Sequence, residues 1–350
     1  MITDPESVNP ASATSDRVPI AFQVLCVIIS LMWFTFIINR RLAIFNPLEQ
    51  GPEIVHITPL VYKEFGGFAT FVTVGLFIDR FLVFDITNNN FVFTGYVWFK
   101  SLAGAVSTRN LENFYFLQGD ILERSQPETQ LIDQYVLTTF HVKVKFSSLL
   151  NYKDFPFDGH RIRISVSNNN LSPEEIVFQS SERDMTIKSD ETQAGWHKID
   201  QDNDTGYLES TIDAYDKRNT QYHPAVTFSI DYERYGIRFI LSIFLPLLLI
   251  FYVTLFGYSL DEGSALRNAV GGVTGILGYR FVIDNLSPKV GYFMISDCIF
   301  FLILTLTCFT LILFIITVFR KTKMTIWMKQ IILIALHLIM NIVSAYFFFA

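Results

Sequence analysis

The chain has 350 residues and a net charge of −6, with 51% apolar residues and only 17% charged residues. Soluble domains carry roughly a quarter charged residues, so this composition indicates a membrane protein. The acidic balance argues against nucleic-acid binding, which needs clustered lysine and arginine. The three cysteines, Cys26, Cys298 and Cys308, lie in apolar runs and predict buried thiols rather than a disulfide framework.

The N-terminal region begins with a polar stretch, residues 1–19, which predicts a disordered tail. Residues 20–38 are almost entirely apolar, and about 20 such residues cross a bilayer. The stretch lacks an obvious basic start and a small-residue cleavage site, which favours an uncleaved transmembrane anchor over a signal peptide. Removal of residues 1–38, or their lying along the membrane, remain alternatives. Residues 39–65 are interpreted as a linker.

Residues 66–235 change in character and predict a β-sandwich. FVTVGLFIDRFLVFDI and FVFTGYVWFK alternate as strands do, and the Asn-rich turn between them predicts a hairpin. Further short strands follow at regular spacing with turn residues between them, a pattern typical of a sandwich. His141 and His160 lie on such strands, where we expect surface histidines.

The stretch KDFPFDGHRIRIS, residues 153–165, joins an apolar loop to a strand. Pro156 lacks an amide donor and disfavours a helix at Phe155, while Asp158 and Gly159 form a turn signal. Alternation then resumes from Arg161. Whether that loop contacts solvent, a protein core or a membrane depends on the rest of the chain.

The last third predicts four spans at about 236–260, 264–283, 292–319 and 326–348. The second is too polar and glycine-rich for a lipid-facing helix. Projected at 100° per residue, one stripe of it holds polar or small side chains and one phenylalanine: Arg267, Gly271, Thr274, Gly278 and Phe281. Two interpretations stay open, a pore lining and a tightly packed helix with glycines at its contacts. Arg280 and Asp284 are spaced for an ion pair.

The order of these parts resembles a pentameric ligand-gated ion channel subunit of the bacterial type, without the disulfide of the Cys-loop receptor superfamily. The resemblance covers roughly residues 66–348 and rests on four pieces in order: the first hairpin, FPFDGHRIRI, IDYERYGIRFILSIFLP and FVIDNLSPKVGYFMISD. It implies an extracellular ligand-binding β-sandwich followed by an all-α four-helix transmembrane pore domain, here with an extra N-terminal apolar helix.

The resemblance also implies a mechanism. Five subunits form a homo-pentamer, a ligand binds between adjacent sandwiches, and the second span lines the pore. Phe281 is the expected hydrophobic gate. Coupling between ligand and pore is expected from the 85–90 loop, from Pro288 and Lys289, and from the loop and its arginine partner: Phe155, Pro156, Phe157, Asp158 and Arg234.

Selectivity and ligand are less determined. Arg267 favours anions, whereas Asp261 and Glu262 at the pore mouth favour cations, so we expect anion or weak selectivity. The ligand-binding candidates are mostly aromatic, as cation sites often are: Tyr96, Trp98, Tyr115, Glu174, Tyr215 and Tyr222. The ligand is a small molecule or ion of unknown identity.

The remaining expectations concern location and alternatives. Arg320, Lys321, Lys323 and Lys329 between the last spans predict a cytoplasmic loop and a sandwich outside, in a multi-pass protein of an inner or plasma membrane. No zinc spacing, nucleophile elbow or phosphate loop is present, so we expect no enzymatic activity, no metal and no cofactor. The alternative function is a non-conducting, membrane-anchored β-sandwich receptor.

Overall fold

The computed structural model describes residues 17–45, 49, 51–188, 192–193, 195–211, 220–234, 237–321 and 324–349. Contacts between residues divide the chain into two compact units. The helical unit comprises residues 1–44, 153–157 and 236–350, and the β-rich unit comprises residues 45–152 and 158–235. The short segment from Lys153 to Phe157 therefore belongs with the helices, although strands of the β-rich unit precede and follow it in sequence.

The β-rich unit is sandwich-like, because its strands alternate between buried and open side chains and pair into two sheets. In the described residues the strands are β1 (Ile54–His56), β2 (Thr70–Asp85), β3 (Asn90–Leu102), β4 (Tyr115–Leu117), β5 (Gly119–Arg124), β6 (Glu128–Ile132), β7 (Tyr135–Phe146), β8 (Gly159–Ser167), β9 (Ile176–Gln179), β10 (Met185–Ile187), β11 (Thr192–Gln193), β12 (Trp196–Thr211) and β13 (Thr220–Arg234).

The two sheets have different strand orders. Within the described ranges, the first sheet has the order β1-β12-β13-β8-β4, and β11 also pairs with β12. The second has the order β10-β2-β3-β7-β5, with β6 on β7 and β9 on β2. Buried aromatic and branched side chains from both sheets form the core, among them Phe91, Phe93, Phe99, Phe140, Phe178 and Phe228. The predicted hairpin is β2–β3, and Asn89 in its turn adopts a positive φ of 51°, which asparagine tolerates.

Within residues 39–65, predicted as a linker, the described part of the chain has regular secondary structure. It contains β1, which extends the first sheet by pairing with β12, and helix α2 (Pro59–Glu64), which begins with proline after the capping Thr58. A local sequence pattern does not reveal such pairing, because a strand pairs only where the fold brings it to an exposed strand edge. A short helix α3 (Thr108–Leu111) also belongs to this unit.

The helical unit contains α1 (Ile20–Leu42), α4 (Ile237–Leu255), α5 (Glu262–Leu286), α6 (Ile295–Arg320) and α7 (Ile326–Phe349), and a 3₁₀ turn, Phe256–Ser259, extends α4. Among the described residues, four of these helices are long and apolar enough to cross a membrane, namely α1, α4 with its turn, α6 and α7. The chain is therefore a multi-pass membrane protein. α5 has the length but not the composition, because it carries five glycines and several charged residues.

Candidate functional site

Three charged side chains meet in the β-rich unit around Asp158. Its carboxylate accepts hydrogen bonds from Arg234 Nε and Nη2, both at 3.1 Å, and from His160 Nε2 at 2.9 Å. The other ring nitrogen of His160, Nδ1, lies 2.6 Å from Glu49 Oε1. The carboxyl groups of Asp158 and Glu49 and the imidazole are all buried. The Arg234 guanidinium lies 4.2 Å from the centre of the Trp196 ring, a cation–π distance. We call Glu49, Asp158, His160, Trp196 and Arg234 the ionic cluster.

The strands explain how the ionic cluster forms. β8 buries every second side chain, and His160, Ile162 and Ile164 share that face. Arg234 is the last residue of β13 and lies opposite Trp196 in the β12–β13 register. His160 is therefore buried, whereas the sequence predicted a surface histidine. It occupies the same buried stripe as two isoleucines.

Glu49 completes the ionic cluster from outside the strands. Besides His160, its carboxylate accepts hydrogen bonds from the backbone N–H groups of Asn151 and Arg161, each at 3.3 Å. An acid in a segment read as a linker was not expected to be buried. No signal in the sequence marked it, because its partners are brought together only by the fold.

The environment sets the charges of the ionic cluster. Burial alone lowers the pKa of His160, but its hydrogen bonds to Asp158 and Glu49 outweigh burial and raise that pKa to about 9. Burial raises the pKa of Asp158, but the charge of Arg234 and the His160 hydrogen bond hold it well below its ordinary value. At neutral pH Asp158 is therefore a carboxylate and His160 an imidazolium, and each charge stabilises the other.

The segment Lys153–Phe157 is held within the helical unit. The N–H groups of Ile295 and Ser296, at the start of α6, donate to the carbonyl oxygens of Lys153 and Phe155 at 3.0 and 3.1 Å. Phe155 and Phe157 are buried, and Pro156 between them is buried too. Their rings contact rings of the helices: Phe155 with Phe239, and Phe157 with Phe244 and Phe348. The phenylalanines thus have an apolar surrounding, made by aromatic side chains of the helices.

The turn after β2, within the 85–90 loop, is tied to residues 148–152 of the same unit. The Tyr152 hydroxyl donates to the carbonyl oxygen of Ile86 at 2.5 Å. Asn89 and Ser148 exchange two hydrogen bonds, of 2.6 and 2.9 Å. Movement of one of these segments will therefore be transmitted to the other.

The α5–α6 connection carries its own ion pairs. Arg280 contacts Asp284, four residues on, at 2.9 Å, and also Asp297 near the start of α6, at 2.6 Å. Pro288 is buried, whereas Lys289 is exposed and donates to the carbonyl oxygen of Asp284 at 2.6 Å. The end of α5 is thereby fixed to the beginning of α6.

One face of α5 is open in the single chain. All five residues of the predicted stripe, Arg267, Gly271, Thr274, Gly278 and Phe281, are exposed, and Phe281 is 74% exposed. The opposite face, with Ala265, Ala269, Gly272, Ile276 and Ile283, is buried. Val270, Leu277 and Val282, which the projection placed away from the stripe, are exposed as well, so the open face is wider than predicted.

The start of α5 shows a role for the predicted mouth residues. Asp261 is the N-cap, and its carboxylate accepts from the Ser264 N–H at 2.9 Å. Glu262 follows in the first turn and is exposed. Arg267 donates to the Ser264 hydroxyl at 2.8 Å and is exposed too. Glu262 and Arg267 are therefore both exposed, about one and a half turns apart along the helix axis.

Among the described residues, the ligand-binding candidates are divided between the two sheets and a loop. Tyr96 and Trp98 lie on β3 of the second sheet, where the indole of Trp98 occupies the space that a side chain at position 75 would need. Tyr115 and Tyr222 lie on strands of the first sheet. Glu174 is exposed on the loop before β9. Tyr215 lies outside the described residues.

The structure also names residues that the sequence analysis passed over. Asp154 forms an ion pair with Arg41 at the end of α1, and Trp196 and Glu49 belong to the ionic cluster. The described ranges contain no group of three or more histidine, cysteine or acidic side chains arranged to hold a metal ion. Comparison of the chain with models of known protein families and with curated proteins finds no match.

Proposed function

We propose that the protein is a subunit of a homo-pentameric ligand-gated ion channel, in which α5 lines the pore. The observation that carries the proposal is the open face of α5. It presents an arginine, a threonine and two glycines on a helix of spanning length that is packed, on its other side, against helices apolar enough to span. Charged residues in membrane helices face a bundle interior or a water-filled path. A closed ring of five subunits supplies such a path.

The ring assigns functions to single residues of the open face. Phe281 is its most exposed large apolar side chain, so a ring of five phenylalanines forms the hydrophobic gate. Arg267 contributes five guanidinium groups and favours anions, and Asp261 and Glu262 at the mouth oppose that preference. Anion or weak selectivity follows.

Opening requires a ligand that binds the open state better than the closed one. The two groups of aromatic candidates lie on different sheets of one chain, as they must if a site is to be completed by an adjacent subunit. The loop from Lys153 to Phe157 is the coupling element in this proposal, because it belongs to the helical unit while Asp158, the next residue, is fixed in the ionic cluster.

The proposal also orients the protein. Arg320 and Lys321 end α6, and Arg17 and Lys329 line a common cavity of about 410 Å³ with Asp261 and Glu262. This end of the helical unit is placed in the cytoplasm by the excess of basic residues in the short α6–α7 connection. The β-rich unit, inserted between α1 and α4, is then outside the cytoplasm.

One observation favours the second candidate, a membrane-anchored receptor that does not conduct. Val270, Leu277 and Val282 are exposed beside the stripe, and a helix that packs against another protein would present such residues. In that function α5 is the contact surface of a partner, and no water-filled path exists.

The two functions are separated by a variant that removes the gate. In planar bilayers the purified Phe281→Ser protein is expected to conduct without added ligand, because a ring of serines is wetted where phenylalanines are not. Mass measurement of the same preparation is expected to give five subunits.

The matched control is Phe319→Ser, since Phe319 is 79% exposed, also in a membrane helix, but on α6. Phe319→Ser should give no current in the absence of ligand. Equal currents from both variants would show leak through damaged protein, and a monomer or dimer without current from Phe281→Ser would exclude the channel.

A further inference from the structure

The N-terminal helix, α1, packs into the helical unit along one face. Its buried residues recur every three to four positions, as on one side of a helix: Gln23, Ser30, Phe34, Ile37, Ile38 and Arg41. The opposite face, including Leu25, Ile29, Met32 and Trp33, is exposed and apolar. This is the distribution of an integral helix with one protein side and one lipid side.

The buried face of α1 carries polar groups that depend on its neighbours. The Ser30 hydroxyl lies 2.9 Å from the Tyr252 hydroxyl of α4 and donates to Asn341 Oδ1 of α7 at 3.1 Å. Gln23 Nε2 donates to the carbonyl oxygen of Leu255 at 3.2 Å. If α1 were absent, the buried Asn341 amide would lose this partner and face hydrocarbon, where unsatisfied polar groups are costly.

The C-terminal end of α1 contacts the loop. Arg41 is 7% exposed, and its guanidinium forms an ion pair with the Asp154 carboxylate while also donating to the Ile44 carbonyl oxygen at 3.2 Å. About two turns earlier, the ring of Phe34 contacts Phe244 and Phe348. These are the two rings that also contact Phe157 of the loop.

From these contacts we infer that α1 is a permanent fifth helix of the membrane unit and that Arg41 is a positioning residue, which holds the Lys153–Phe157 loop through Asp154. The loop is thus held from two sides, by the start of α6 and by the end of α1. Its consequence for opening rests on the proposed channel function: release of Arg41 changes how easily the loop moves, and hence the balance between closed and open states. Arg40, the adjacent residue, is exposed and belongs to neither contact.

The first test measures hydrogen exchange in the full-length protein. The Phe157 amide donates to the Asp154 carbonyl oxygen at 2.8 Å, so its exchange reports on the loop. Arg41→Gln should speed exchange of the 153–157 amides by about tenfold, the effect of losing a charged hydrogen bond on local opening. Arg41→Lys should restore much of the protection, and Asp154→Asn should add little to Arg41→Gln because the two remove one contact.

Arg40→Gln is the control and should leave exchange unchanged. If the 153–157 amides exchange no faster in Arg41→Gln than in Arg40→Gln, Arg41 does not hold the loop and the inference is overturned. A purified protein whose intact mass lacks residues 1–44 would overturn the permanent fifth helix.

The second test measures opening and is independent of the first. In the Phe281→Ser background, Arg41→Gln should change the fraction of time the channel is open at least severalfold, whereas Arg40→Gln should not. Faster exchange with an unchanged open fraction would limit Arg41 to a structural role and refute its effect on opening. If no Phe281→Ser variant conducts, the proposed function fails, and the exchange experiment still decides whether Arg41 holds the loop.

Discussion

His160 shows how a single side chain depends on the fold around it. On an isolated strand it is a solvated histidine, but the first sheet and the Glu49 segment enclose it between two carboxylates. Burial opposes its charge, and the two carboxylates more than compensate. The imidazolium in turn neutralises one of the two acids, which leaves the other for Arg234. Removing one of the four charged members leaves a buried charge uncompensated, at a cost of about 3–5 kcal/mol.

This arrangement predicts a stability that falls as pH rises. The pKa of His160 is about 9 in the folded protein against an ordinary 6.5, so its contribution is fully present below pH 6.5 and is lost as pH rises through 9. The shift corresponds to about 3 kcal/mol. Asp158 adds no slope in this range, because its pKa is held well below the ordinary value and it stays ionised. Melting temperatures measured between pH 6 and 10 should therefore decline for the wild type.

The His160→Gln variant should be less stable at pH 6 and should lose most of this decline, since glutamine does not titrate. His141→Gln, which changes an exposed histidine of β7, should keep the wild-type slope. Parallel curves for wild type and His160→Gln would mean that another group titrates and that His160 is not charged in the folded state.

At the scale of elements, α5 uses adjacent glycines in two ways. A Cβ at Gly272 would lie 2.0 Å from the Thr254 hydroxyl oxygen of α4, so this glycine permits close packing of the two helices. At Gly271 the described part of the chain leaves open space around the same atom. The packing interpretation therefore applies to α5 at Gly272, and the side with Gly271 is open, as the proposed pore lining requires.

The glycine pair gives a prediction with an internal control. Gly272→Ala should destabilise the helical unit by about 1–3 kcal/mol, because the new methyl group overpacks the α4–α5 contact. Gly271→Ala should be neutral or stabilising by up to about 1 kcal/mol, because alanine favours a helix over glycine. Thermal unfolding of the two purified variants compares them directly, and equal destabilisation would contradict the assignment of the two faces.

The sequence predicted those elements whose pattern is local. Alternation in FVTVGLFIDRFLVFDI and apolar length in residues 20–38 each report on one element, and β2, β3 and α1 lie where they were expected. The alternation of β8 also indicated that His160 is buried, because its side chain lies on the same face of the strand as Ile162 and Ile164. The prediction instead treated a polar residue as exposed. Glu49, β1 and the Arg41–Asp154 pair were not predictable, because each depends on a partner more than 100 residues away in the chain.

At the scale of the whole molecule, the arginines of the helical unit differ in whether a carboxylate pairs with them. At the end with Arg41, two arginines form ion pairs, Arg41 with Asp154 and Arg280 with Asp284 and Asp297. On the open face of α5, Arg267 donates to the Ser264 hydroxyl at 2.8 Å, and within the described residues no carboxylate forms an ion pair with it. An unpaired guanidinium on a membrane helix needs water or permeant anions around it.

Arg267 therefore gives the sharpest test of the assembled pore. In a sodium chloride gradient across a planar bilayer, the conducting Phe281→Ser protein should reverse near zero or on the chloride side, because five guanidinium groups attract anions and the mouth carboxylates offset them in part. Adding Arg267→Glu should move the reversal potential to the sodium side. The same change at Arg320, an exposed arginine at the end of α6, should leave it in place, since that residue is not on α5. If Arg267→Glu and Arg320→Glu shift the potential equally, the ions do not pass along α5, because only a pore lined by this helix brings five copies of residue 267 within a screening length of the same ion.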